Sequence, residues 1–210
     1  MPKIKAVLFD MDGVLIDARD WHYEALNQAL SLFGMEISHY DHIVTYDGLP
    51  TKRKLEMLTL ERGLPCELHD FINDIKQEFT FQLGYAKCKP SFNHQYALSN
   101  LKALGYKMAA CSNSVRKTMD VFFDRAAISK YFDFYISNEG VKEAKPNPEM
   151  YLTAMNRLGF TPSECLILED NENGIKAARA SGAHLLIIND VYDVNLENIL
   201  NKISKIEGRL

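Results

Sequence analysis

Four short stretches of this 210-residue chain constrain its fold more than any other feature. IKAVLF at 4–9, KMAAC at 107–111, CLILE at 165–169 and HLLIIN at 184–189 are apolar almost without interruption. A strand with one wet face alternates polar and apolar residues, whereas a strand covered by helices on both faces does not. The four runs are therefore expected as strands of a sheet buried on each side. Helix-period patterns lie between them. NHQYALSNLKALG stops at Gly105, VRKTMDVFFDRAAI follows the second run, NPEMYLTAMNRLG stops at Gly159, and NGIKAARASGA follows the run that ends at Glu169. A glycine just past the last apolar turn is a common helix stop. This alternation predicts an α/β protein with a doubly wound, mainly parallel sheet.

One segment breaks the rhythm. Residues 18–87 contain no convincing strand but several amphipathic helices, among them WHYEALNQALSLFG and TKRKLEMLTLERG. So long a helical stretch exceeds an ordinary crossover and predicts an inserted α-helical cap. The expected division is a core of residues 1–17 and 88–210 with a cap of residues 18–87. The cap enters at the carboxyl end of the first strand, the edge where open α/β sheets bind ligands.

Composition narrows the function classes. Hydrophobic residues make up 47% and charged residues 25%, the balance of a water-soluble globular chain. A net charge of −4, with no basic stripe, argues against a nucleic-acid binder. No run approaches the ~18 apolar residues of a membrane span, and the N-terminal stretch reaches Asp10 too soon for a signal peptide. Cys66, Cys88, Cys111 and Cys165 show no CxxC or metal spacing, and Cys111 and Cys165 lie inside apolar runs. The expected setting is the reducing cytoplasm, with the chain acting as a monomer.

In a doubly wound sheet the strand tips converge on one rim. Here the tips carry Asp10 and Asp12, then Ser112 and Asn113, then Glu169 and Asp170, while Lys145 comes from the loop EAKPNP. Crowded carboxylates repel unless a cation sits among them. Oxygen-only ligands without nearby His or Cys favour Mg²⁺, which takes one or two carboxylates plus substrate phosphate. The Ser112 hydroxyl and the Asn113 amide are expected to donate to phosphate oxygens. The helix opening near Ser114 offers free N–H groups to the same anion, and Lys145 adds positive charge. Each residue also has a plainer reading. Asp12 and Gly13 make a common turn pair, Asn113 or Ser114 can cap a helix, and Lys145 can be a solvated loop lysine. Their convergence on one rim favours the chemical reading.

The motifs DMDGVLID, CSNS, KPNP and EDNENG resemble, in order and spacing, the four motifs of the haloacid dehalogenase superfamily. The pattern covers the whole chain and is most similar to the β-phosphoglucomutase-like phosphatases. The resemblance implies that Asp10 is a nucleophile forming an aspartyl-phosphate. It implies that Asp12 is the acid and base for the leaving group and water. Ser112, Asn113 and Lys145 would hold the phosphate. Mg²⁺ would be held by Asp10, the Asp12 carbonyl and Asp170, with Glu169 assisting. Asp12 speaks against dehalogenation, since dehalogenases of the superfamily lack it.

Within the cap, Trp21, His22, Thr51, Lys52 and Arg53 are the candidate substrate contacts. The indole suits a sugar ring, and the basic residues suit a second anionic group. His22 also reads as a packed helix histidine, and Lys52, Arg53 and Lys54 as a solvated face. The expected activity is hydrolysis of a small phosphomonoester, a sugar or polyol phosphate. Two alternatives stand beside it: a sugar phosphomutase and a silent phospho-ligand binding protein. Mutases of this type use a cap arginine for the second phosphate where this chain has Thr51, which favours hydrolysis. Retention of both Asp10 and Asp12 opposes the silent reading.

Overall fold

The computed structural model describes residues 3–209. After β1, Ala6–Phe9, the chain enters α1 Arg19–Ser31, α2 His39–Asp41 and a π-helical turn, His42–Tyr46. It continues through α3 Thr51–Arg62, α4 His69–Lys87 and α5 Phe92–Ala103. There follow β2 Lys107–Cys111, α6 Arg116–Arg125, β3 Phe134–Ile136, α7 Glu149–Leu158, β4 Cys165–Glu169, α8 Glu172–Ala180, β5 His184–Ile187 and α9 Leu196–Glu207. The strands form one parallel sheet in the order β3-β2-β1-β4-β5.

All four apolar runs become strands, and each is buried from both sides where the sheet is central. Val7 and Phe9 of β1 face a core with Met108, Leu166 and Leu168, closed by α5, α6 and α9. Ala6 and Leu8 face the other core, with Ala109, Cys111, Ile167 and the apolar sides of α7 and α8. Four consecutive fully buried residues leave no alternation to see, because both faces are dry. β3 was not expected. It has three residues, two of them only partly buried, too short a run to stand out from a loop.

Between β1 and β2 the segment 19–87 contains no strand and has its own small core, where Leu26, Leu30, Leu55, Leu58 and Ile72 meet. Its apolar contact with the sheet layer centres on Phe122. Trp21 packs edge-on against Phe122 of α6, with ring centres 5.6 Å apart. Gly84 of α4 lies against the same Phe122, where a side-chain carbon would run into the ring.

The strand order reverses at β1. The chain moves outward through β2 and β3, then returns to the other side of β1 for β4 and β5. This opens a crevice beyond the carboxyl ends of β1 and β4. Cys88, Cys111 and Cys165 are buried, and the cysteines are free. Among the described residues, no helix is long and apolar enough to cross a membrane.

Candidate active site

Phe9 pairs with Leu168 in register, so the residues that follow them leave the sheet side by side. Asp10, Glu169 and Asp170 can each place a carboxylate oxygen within 4.8 Å of the others. The Lys145 ammonium donates to Asp10 Oδ1 and Glu169 Oε1, each at 2.6 Å, and to the Cys111 carbonyl at 2.8 Å. It is only 4% exposed, so it is no solvated loop lysine. The Tyr151 hydroxyl donates to the same Glu169 oxygen. Two glycines make room. A side-chain carbon at Gly13, where φ is +86°, would strike the Asp170 carboxylate, and one at Gly174 would strike that of Glu169.

Positive charge falls short of negative charge here. Burial, with Glu169, Asp170 and Asp12 nearby, holds the Asp10 carboxyl well above the ordinary range despite Lys145. Burial and Glu169 push Asp170 up to about 6 against the pull of Arg19. Arg19 pairs with Asp170 Oδ2, while Asp170 Oδ1 is buried and has no partner among the described residues. Three carboxylates, an orphaned oxygen and no sulfur or imidazole donor among them fit a hard divalent cation such as Mg²⁺.

Asp12 is held apart from this cluster. Its Oδ2 accepts from Ser114 Oγ at 2.9 Å and Ser112 Oγ at 3.2 Å. Its Oδ1 lies 2.9 Å from His22 Nε2. Burial alone would raise its pKa, but His22 and the serine hydroxyls outweigh burial and hold it below the ordinary value. His22 Nδ1 in turn faces the Lys76 ammonium at 3.3 Å. Burial and the Lys76 charge lower the His22 pKa against the pull of Asp12. A neutral ring with its proton on Nε2 satisfies both contacts. The two aspartates, two residues apart, thus have opposite surroundings.

Several expectations need correction. The Asn113 side chain does not face an anion: it donates to the Gly48 and Lys145 carbonyls, and its oxygen accepts from the Lys145 N–H. The helix after β2 does open on the cavity at Ser114 and Val115, but two of its N–H groups are already taken, that of Ser114 by the Ser112 hydroxyl and that of Arg116 by Glu139 Oε2 at 2.6 Å. Ser112 spends its hydroxyl on Asp12 and accepts from the Ser114 N–H. Trp21 lies outside the cavity, since the Phe122 ring claims its indole. Arg53 also lies outside, paired with Glu56 on the exposed side of α3. His22 reaches the cavity wall, as do Thr51 and Lys52.

The cavity, about 490 Å³, lies between the strand tips and helices α1, α3 and α4. Its lining also includes Arg19, Asp47, Lys76 and Asn171, which the sequence reading did not offer as site residues, and Lys54, which it read as part of a solvated face. Helical spacing held the signal for two of them. Lys54 stands four residues before buried Leu58, and Lys76 four residues after buried Ile72, so both share the inward faces of their helices.

Comparison with known proteins places this geometry. A family profile described as haloacid dehalogenase-like hydrolase matches residues 7–188. The phosphorylated carbohydrates phosphatase of Thermotoga maritima is 27% identical over 179 residues, covering 85% of this chain and 82% of that protein. The fold is that of β-phosphoglucomutase from Clostridium difficile, with a TM-score of 0.83 at 22% identity over 98% of this chain and 100% of the other. CbbY of Rhodobacter sphaeroides, solved in complex with phosphate, has a TM-score of 0.80 at 21% identity over 88% and 85% of the two chains.

Proposed function

The chain belongs to the haloacid dehalogenase-like hydrolases, and from that premise we propose that it is a Mg²⁺-dependent phosphatase of a small phosphomonoester, acting through an aspartyl-phosphate on Asp10. In this reading residues 1–17 and 88–210 form the catalytic core and residues 18–87 a helical cap. The observation that carries it is the contrast between the two aspartates. One is packed among carboxylates and a lysine, and the other is held alone by two serines and a histidine.

An Asp10 carboxylate oxygen attacks phosphorus, and the bond from phosphorus to the ester oxygen breaks. Asp12 takes up a proton as the negative charge of the substrate phosphate enters beside it, and gives that proton to the ester oxygen as it leaves. Ser112 and Ser114 suit either state of Asp12, because a hydroxyl that donates to the carboxylate can turn and accept from the acid. Asp12 then takes a proton from water as the water oxygen attacks the phosphoryl group. Asp10 leaves as a free carboxylate, and inorganic phosphate is released. Lys145 holds Asp10 throughout and offsets negative charge on the phosphoryl group. The Asn113 backbone N–H has no partner among the described residues and is one donor free for a phosphate oxygen. Mg²⁺, held by Asp10, Glu169, Asp170 and the Asp12 carbonyl, would shield the charge of nucleophile and phosphate as they approach.

Thr51 lines the cavity where a mutase of this type would have arginine, which supports water as the acceptor. The Thermotoga relative, named as a phosphatase of phosphorylated carbohydrates, supports a sugar or polyol phosphate. Colour release from a generic aryl phosphate tests the reading. Activity is expected with Mg²⁺ and lost in chelator. Asp10→Asn is expected to lower turnover at least a thousandfold, about 4 kcal/mol of barrier. A variant within tenfold of wild type would overturn the role of Asp10.

A further inference from the structure

The wall of the cavity that α3 and α4 contribute has the reverse problem, an excess of buried positive charge. Lys54 on α3 and Lys76 on α4 are each 6% exposed, and both line the cavity. The Lys54 ammonium makes no hydrogen bond or ion pair with any described residue. Among the described residues Lys76 Nζ meets only the His22 ring, at 3.3 Å. Burial brings the Lys54 pKa down to about 8, and burial with the Lys54 charge brings that of Lys76 down to about 7. The acids within reach are committed elsewhere. Asp47 pairs with Arg19 at 3.5 Å and accepts from Asn171 at 2.8 Å, while Asp12 is held by His22 and two serines. An unpaired buried ammonium costs several kcal/mol, and two in one cavity repel each other as well.

We propose that Lys54, with Lys76 beside it, forms a second anion subsite, and that the substrate is a small phosphomonoester carrying a second anionic group, a carboxylate or another phosphate. The inference rests on the phosphatase reading for the placement of the scissile phosphate at Lys145 and the strand tips. It then follows that whatever meets Lys54 belongs to the other end of the same molecule. About 490 Å³ suits a metabolite of a few carbons with a charge at each end. Asn73 and Gln77, which also line the cavity, can hydrogen-bond the hydroxyls of such a molecule.

Calorimetry on the full chain with Mg²⁺ tests this without catalysis. The probes are alkylphosphonates of two to five carbons, compared with phosphonocarboxylates and bisphosphonates of matching length. At least one doubly charged probe is expected to bind ten times more tightly than its alkyl counterpart. The carboxylate and phosphonate arms show which anion the subsite prefers. In Lys54→Gln, and independently in Lys54→Met, that ratio is expected to fall to within twofold of one. A wild-type ratio near one at every length, or a ratio that survives both substitutions, overturns the subsite. If no phosphomonoester is hydrolysed but the Lys54-dependent ratio is present, the phosphatase reading fails and the subsite stands. If esters are hydrolysed and the ratio is absent, the reverse holds.

Discussion

At pH 7 the Lys54 side chain is protonated in the unfolded chain and, with its pKa lowered to about 8, still largely protonated in the folded one. The folded state binds that proton less tightly. Stability therefore rises as pH climbs from about 8 toward the ordinary lysine value, and below about 8 the full cost is present. Lys54→Met removes the cost. The expected result is a gain of roughly 1–3 kcal/mol at pH 7, or several degrees in melting temperature. The gain should shrink toward pH 10 and beyond. Thermal denaturation at the two pH values measures it. Destabilisation at pH 7 would mean that the ammonium has a partner in solution. A residue that weakens the fold and lines the cavity is best explained by what it binds.

At the scale of the element, α4 packs along α6 and meets the Phe122 ring at a bare position, Gly84. Alanine is the better helix former by about 1 kcal/mol, but its methyl group at residue 84 would overlap the Phe122 ring. Overpacking costs about 1–3 kcal/mol, so Gly84→Ala is expected to lower stability by about 1 kcal/mol, read from its denaturant midpoint. A stabilised variant would show that Phe122 can turn aside. Elements were legible where one physical cause dominated. Unbroken apolar runs disclosed β1, β2, β4 and β5, and the missing strand signal across 18–87 matches a chain with no strand between β1 and β2. β3 was hidden because three half-covered residues carry no pattern. Sites followed the same rule. Strand-tip carboxylates could be read from topology alone. The wrong turns came from side chains whose orientation depends on distant partners: Trp21 on Phe122 and Asn113 on Gly48. The basic cluster was noticed, but its inward member is Lys54 rather than Arg53, a difference that only the helix face decides.

Across the whole molecule the helical segment meets the sheet layer in two unlike ways. On one side the contact is apolar, Trp21 and Gly84 against Phe122. Along the cavity mouth it is polar, with Asn113 donating to the Gly48 carbonyl at 2.9 Å and Asn171 donating to Asp47 at 2.8 Å. Water can replace the polar bonds at little net cost, but it cannot replace the apolar contact. The segment is therefore expected to swing open at the mouth while staying anchored at Phe122. Hydrogen exchange would show amides around residues 47–54 slowing at least fivefold with Mg²⁺ and a phosphonate probe, and those of α6 hardly changing. Uniform protection would rule this motion out. The Asn113–Gly48 bond has one more consequence. Asn113 follows a strand tip beside the phosphate site, and Gly48 belongs to the moving wall, so the bond forms only when nothing oversized lies between them. It works as a gauge. A molecule that reaches the carboxylates but holds Gly48 away would bind with its phosphate still open to bulk water. Selection against large esters would then show as lost turnover rather than lost affinity.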